Sequence, residues 1–156
     1  MELKTYYDFA LDDYKFLKDI ESTGIVANSV GAIAQNTCER FLKHLINQYI
    51  PVSDVGRHSL TDILTTHNLN RLVNYWNRYG TPKIPQSVAN QLKKINGYYF
   101  STKYPGDDCL TLNAENIDTC FRVVDICKQA VDTIINQHTP STPTTSNVNC
   151  LVSKEV

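Results

Sequence analysis

The sequence predicts an all-α protein, an up-and-down bundle of about five helices, and three observations carry that expectation. Apolar residues recur at spacings of three and four in five separate stretches, the period of a helix with one buried face. Pro51, Gly80-Thr81-Pro82 and Pro105-Gly106 fall between those stretches. The chain of 156 residues, 42% of them hydrophobic, holds enough apolar material for a single core.

Over residues 3–20, Leu3, Tyr6, Ala10, Leu17 and Ile20 share a helical stripe that Asp13 interrupts. Tyr7, Phe9, Tyr14 and Phe16 widen its apolar surface. Ser22-Thr23-Gly24 supplies a turn, and Asn28 or Ser29 is the expected N-cap of a second helix reaching about residue 50. Here Val30, Ile33, Ala34, Thr37, Cys38, Phe41, Leu42, Leu45, Ile46 and Tyr49 advance by threes and fours. Pro51 ends it, because proline disfavours the α conformation in the residue before it. Residues 51–58 read as a loop, and Leu60, Ile63 and Leu64 as a single turn. Leu69, Leu72, Val73 and Trp76 place a third helix at 68–79. After Gly80-Thr81-Pro82, Pro85 can occupy the first turn of a fourth, carried by Val88, Leu92, Ile95 and Tyr99 to about residue 100. Asn113, with Asn116 three residues on, is the expected cap of a long fifth helix through Ile117, Cys120, Phe121, Val124, Cys127, Val131, Ile134 and Ile135. The bundle is therefore expected over 1–138. Residues 139–156, rich in Thr, Ser, Pro and Asn, read as a disordered tail that cannot offset its own ordering entropy.

Fifteen basic against sixteen acidic residues leave a net charge of −1. No global positive field draws the chain onto nucleic acid or anionic lipid, so any RNA contact is a local site. The five cysteines, Cys38, Cys109, Cys120, Cys127 and Cys150, form no CxxC pair and have no zinc-finger histidine spacing, which argues against metal binding. Cys38, Cys120 and Cys127 fall on apolar helix faces and are expected to be reduced, small core hydrophobes in a reducing compartment. The start of the chain has early acidic residues and no continuous apolar stretch, so neither a signal peptide nor a membrane span is expected, and a cytoplasmic location is. No repeat of solenoid period and no Gly-rich phosphate loop is present.

Three segments carry a family resemblance. In AIAQNTCERFLKHL, residues 32–45, an Ala-Gln start is followed by Glu39 and, four residues later, Lys43. THNLNRL, residues 66–72, places His67 where a third helix opens, and FSTKYPGDD, residues 100–108, joins Lys103 and Tyr104 to a Pro-Gly turn. In this order the segments resemble the HEPN domain (higher eukaryotes and prokaryotes nucleotide-binding), with Asn68 in place of the family's Asp and Lys103 in place of its Arg. The resemblance implies a helical bundle like that of nucleotidyltransferase substrate-binding subunits. It also implies frequent homodimers, a minimal nucleotidyltransferase as partner, and association with nucleotide or RNA. Ribonuclease members carry an Arg and a His with four to six residues between them, joining a phosphate-stabilising cation to an imidazole. No arginine of this chain meets that spacing: Arg40 and His44 leave only three residues between them.

The candidate nucleotide-binding residues are Glu39, Lys43, His67, Lys103, Tyr104 and Asp107. Spacing alone makes Glu39 and Lys43 a helix-surface ion pair; the alternative sets them at the mouth of an interhelical cleft, which a buried carboxylate would support. His67 can lock its loop through backbone bonds or meet a ligand. Lys103 and Tyr104 form either a phosphate-and-base pair or the packed end of a helix. Tyr98, Tyr99 and Phe100, with Tyr6, Tyr7 and Tyr14, are numerous enough for a base-binding platform, but aromatics at helical spacing, Trp76 among them, are expected first in the core. Arg40 and His44 are an alternative phosphate contact, expected to face solvent because Phe41, Leu42 and Leu45 occupy the buried stripe. The expected function is a non-catalytic nucleotide- or RNA-associated module without a cofactor. A metal-independent endoribonuclease of a toxin–antitoxin pair and a structural dimerisation domain are the alternatives.

Overall fold

The computed structural model describes residues 2–139, and among these the fold is all-α with no strand. The elements are α1 (Tyr6–Glu21), α2 (Asn28–Tyr49), α3 (Val52–Val55), α4 (Arg57–Thr65), α5 (Leu69–Tyr79), α6 (Gln86–Leu92), α7 (Tyr98–Ser101) and α8 (Ala114–His138). A reciprocal capping box opens α1, the Thr5 hydroxyl accepting from the Asp8 amide while the Asp8 carboxylate accepts from the Thr5 amide. Asn113, the expected cap, forms the same device with Asn116 at the start of α8.

Helix α2 is the axis of the molecule. It packs against α1 and α8 along its length and against α4, α5 and α7 on its other side. A helix enclosed on so many sides must bury more than one stripe, and Gln35, Thr37, Glu39 and Lys43 are buried with its apolar residues. Gly31 lets α7 and the chain before α8 come close, since a β-carbon there would overlap Leu112 Cδ1 and press on Tyr98. Trp76 of α5 is fully buried, its indole N–H donating to the Pro82 carbonyl at 2.8 Å, so its one polar atom is satisfied. Cys38, Cys120 and Cys127 lie in the same core, unpaired, and burial pushes the Cys38 thiol well up and the Cys120 thiol up to about 12. Across the α1–α8 seam the Tyr7 hydroxyl donates to Asp132 at 2.6 Å, the Tyr14 hydroxyl to Asp125 at 2.9 Å and Lys18 to Asp125 at 2.7 Å.

The five expected helices correspond to α1, α2, α5, the α6–α7 region and α8, and the differences have local causes. The 51–58 segment is not a plain loop: it contains the turn α3, and Gly56 at φ +79° redirects the chain into α4, which extends the expected single turn to Thr65. The fourth helix is interrupted, because Gly97 at φ +101° ends the turns after α6 and starts α7 in a new direction. The cap of α2 is Ala27, not Asn28 or Ser29. The Asn28 amide instead spans to the chain before α8, donating to the Leu110 carbonyl at 2.7 Å and accepting from the Leu112 amide at 2.9 Å. The tail expected from residue 139 onward lies, from residue 140, outside the described residues, and Cys150 with it. Among the described residues no helix is long and apolar enough to cross a membrane.

Candidate functional site

Positions 35, 39 and 43 stand four apart on α2, one above another on the face towards α5 and α7. The middle one is a carboxylate, 1% exposed, and Lys43 is 6% exposed, so this is no surface ion pair. Glu39 Oε1 accepts from Gln35 Nε2 at 3.1 Å, and Oε2 receives Lys43 Nζ at 3.4 Å and His67 Nδ1 at 3.1 Å. A carboxylate can only accept, so Nδ1 of His67 carries its proton towards Glu39 and Nε2 is left for another partner. Gln35 also binds the surrounding backbone, donating to the His67 carbonyl at 2.6 Å and accepting from the Tyr99 amide at 2.7 Å.

Local chemistry aims His67. Asn68 caps α5 by accepting from the Arg71 amide at 3.1 Å, and the Thr66 hydroxyl accepts from the Asn68 amide at 3.2 Å. Asn96 accepts from the Leu69 amide at 2.8 Å, tying the start of α5 to the turn before α7. The imidazole then lies flat on Tyr99, centroids 4.1 Å apart and planes 7° apart, with Phe100 edge-on at 5.5 Å. Lys103 Nζ stands 4.3 Å from the Tyr99 centroid. Because the imidazole fills one face of that ring, the ammonium occupies the other, and Tyr99 has no face free for a base. Beside it runs a groove of about 390 Å³ between Ser29, Ile33 and Asn36 of α2 and Tyr99, Thr102 and Lys103. The charges of Glu39 and Lys43 offset one another, and among the described residues no carboxylate pairs with Lys103. The arrangement offers a fixed imidazole nitrogen and a cation, on opposite sides of one aromatic ring, to an anionic ligand.

Of the sequence-derived candidates, Glu39, Lys43, His67 and Lys103 are brought together. Tyr104 is not part of the cluster: it is 58% exposed, and the described ring contacts of His67 are with Tyr99 and Phe100. Asp107 lies exposed in the turn beyond it, with no described bond to the cluster. Arg40 and His44 do not act as one solvent-facing pair. Arg40 binds Asp13 of α1, which explains the acid on that helix's apolar stripe, and packs over Phe9. His44 is half-buried, edge-on to Tyr7 at 5.4 Å and to Tyr49 at 6.2 Å. Gln35 and Tyr99 complete the site without having been singled out for it. The four-residue spacing 35-39-43 signals the first; the second is marked only as one of a run of aromatics, and its role comes from its tertiary neighbours.

Burial pushes the His44 imidazole below its usual range, partly opposed by Asp8. The unfolded chain therefore takes up this proton first. The stability due to neutral His44 is complete above about pH 6.5 and is lost as the pH falls towards the lower folded value. Asp13, whose carboxyl burial raises, acts in the opposite sense at more acidic pH. Urea midpoints for the wild type are expected to fall between about pH 7 and pH 5.5, and a His44→Phe variant to flatten that slope.

Among the described residues no group of three or more His, Cys, Asp or Glu is placed to hold a metal ion. No family model matches the chain, and no curated protein and no solved structure matches it. The class that the fold defines is an all-α bundle with a polar cluster buried beside its central helix.

Proposed function

We propose that the chain is a HEPN-like nucleotide- or RNA-associated binding module that is non-catalytic and works with a minimal nucleotidyltransferase. The observation that carries this reading is the buried Glu39 carboxylate, shared between Lys43 and His67. A buried ion pair is often no more stabilising than apolar side chains of the same volume, so its use here is positional: it fixes the imidazole's tautomer and direction. His67 and Lys103, which come from two of the segments that carry the resemblance, both contact Tyr99, which supports the reading. Isothermal titration with adenosine and uridine mono-, di- and triphosphates is expected to give saturable binding, weakened about tenfold or more by His67→Ala and by Lys103→Ala, as for a charge-assisted contact. Absence of heat and of any thermal shift with all of these nucleotides would reject it.

The ribonuclease reading requires Arg40 and His44 to meet at one phosphate, and the engagement of Arg40 by Asp13 weighs against it. RNA incubated with the protein without metal is expected to stay intact; cleavage abolished by His44→Ala would restore that reading. Homodimerisation is proposed through α1, where Phe9 and Phe16 are exposed on the side away from the core. Sedimentation velocity is expected to show a dimer that Phe9→Ser with Phe16→Ser dissociates, and a concentration-independent wild-type monomer would refute it.

A further inference from the structure

The segment 93–104, KKINGYYFSTKY, contains three lysines and four aromatic residues and no acid. Lys93, Lys94 and Lys103 are all exposed, and none has a carboxylate partner among the described residues. Two of the aromatics, Phe100 at 55% and Tyr104 at 58%, are among the most exposed large side chains of the described chain. The Tyr104 amide donates to the Phe100 carbonyl at 3.4 Å, so the helical turn continues past α7 and these rings stand four apart on one face. Phe100 is held rather than loose: its edge contacts with Tyr99 at 5.0 Å and His67 at 5.5 Å fix the ring and leave it uncovered outward. The turns after α6 bond three residues back, which sets Lys93 on the same side as Asn96, and Asn96 is bonded to the start of α5 beside His67. Lys103 stands over Tyr99, next to Phe100 in the chain, while Lys93 and Lys94 precede the rings in sequence, and Asp107 and Asp108, beyond Pro105-Gly106, mark where the basic stretch ends.

We infer that Phe100 and Tyr104, together with Lys93, Lys94 and Lys103, form a stacking platform for a single-stranded oligonucleotide. The inference rests on the nucleotide-associated reading above and extends it from a mononucleotide to a strand. Tyr99 cannot stack a base, having both faces occupied, whereas the next two aromatics along the turn can. Exposed rings beside unpaired ammonium groups recognise unstacked bases and the backbone that joins them. A duplex hides its base faces, and this chain, with a net charge of −1, has no wide positive surface to hold one by its phosphates.

Fluorescence anisotropy with a labelled oligouridylate of about twelve nucleotides, within the range of single-strand site sizes, tests this. The deoxy strand and a duplex RNA of the same length are run beside it, and a mononucleotide is titrated in parallel. The expected result is binding of the ribo- or deoxy-strand in preference to the duplex. The slope of log affinity against log salt should be about −2, for three cations on a single strand. Phe100→Ser and Tyr104→Ser, both at exposed positions, should each weaken the strand about fivefold or more while leaving the salt slope unchanged, and Tyr104→Ser, outside the His67 cluster, should leave mononucleotide binding unchanged. The triple Lys→Gln variant should flatten the slope. Mononucleotide binding with no strand binding, or strand binding indifferent to both aromatic variants, overturns the platform and leaves the mononucleotide reading standing. Strand binding that needs both aromatics, without mononucleotide binding, upholds the platform and rejects that reading. Equal binding of the duplex, or a change of oligomeric state in the Ser variants, also overturns it, the latter by assigning the patch to a second copy of the chain.

Discussion

Glu39→Ala is expected to destabilise the fold by about 3–5 kcal/mol, the usual cost of removing one partner from a buried ion pair. The loss exceeds the contact itself because Lys43, 6% exposed, is left without its counter-ion and the Nδ1 proton of His67 without its acceptor. Glu39→Gln keeps the volume and one accepting oxygen, so a smaller loss is expected. The informative variant replaces both charges, Glu39→Leu with Lys43→Met, since exchanging a buried pair for apolar groups of similar size is often neutral or stabilising. If the pair serves only the core, urea midpoints recover and nothing else changes. If it serves the site, stability recovers and nucleotide affinity does not, because His67 has lost the group that orients it. A double variant that binds nucleotide as the wild type does would remove Glu39 and Lys43 from the function.

The bundle was legible where one helix determines its own signal. Periodicity placed α1, α2, α5 and α8 closely, and Asn113 is the N-cap of α8 expected from the sequence, because a cap is chemistry between neighbours in sequence. What failed depended on backbone angles or on distant partners. Gly97 reads like any glycine in a helical stretch until its φ of +101° shows that it divides α6 from α7. Asn28 offers a capping side chain, yet the chain before α8 uses it instead. The spacing of Glu39 and Lys43 fits an exposed pair equally well, because helical geometry sets who neighbours whom and not how many helices surround them. For the site, the resemblance drew Glu39, Lys43, His67 and Lys103 from three segments, and the fold gathers them. Tyr104 and Asp107 came with the same segments and stand outside the cluster, while Tyr99, central to it, is marked in the sequence only as one of a run of aromatics on a helical stripe.

Gln35→Leu is expected to have the second large effect, and its pattern differs from that of the charge variants. Gln35 is wholly buried and its amide serves three elements at once: Glu39 within α2, the His67 carbonyl before α5, and the Tyr99 amide in α7. Leucine fills similar space, so little cavity forms, but the His67 carbonyl and the Tyr99 N–H lose their partners. Each buried group left unsatisfied costs about 1–3 kcal/mol, so a loss of about 2–6 kcal/mol is expected for the two backbone groups together. Gln35→Glu separates shape from hydrogen bonding more sharply. It can still accept from Tyr99, yet it turns an oxygen towards the His67 carbonyl and brings a second carboxylate beside Glu39. Gln35→Glu should therefore be the less stable of the two at neutral pH and should recover on mild acidification, as protonation of one acid relieves the repulsion. Because Gln35 links the Tyr99 amide of α7 to the His67 carbonyl of the α4–α5 connection, hydrogen exchange in both variants should rise first at residues 66–69 and 98–102, with α1 and α8 protected as before. Uniformly raised exchange across the bundle would mean that Gln35 is merely part of the core, and that the His67–Tyr99 stack is held by something other than this side chain.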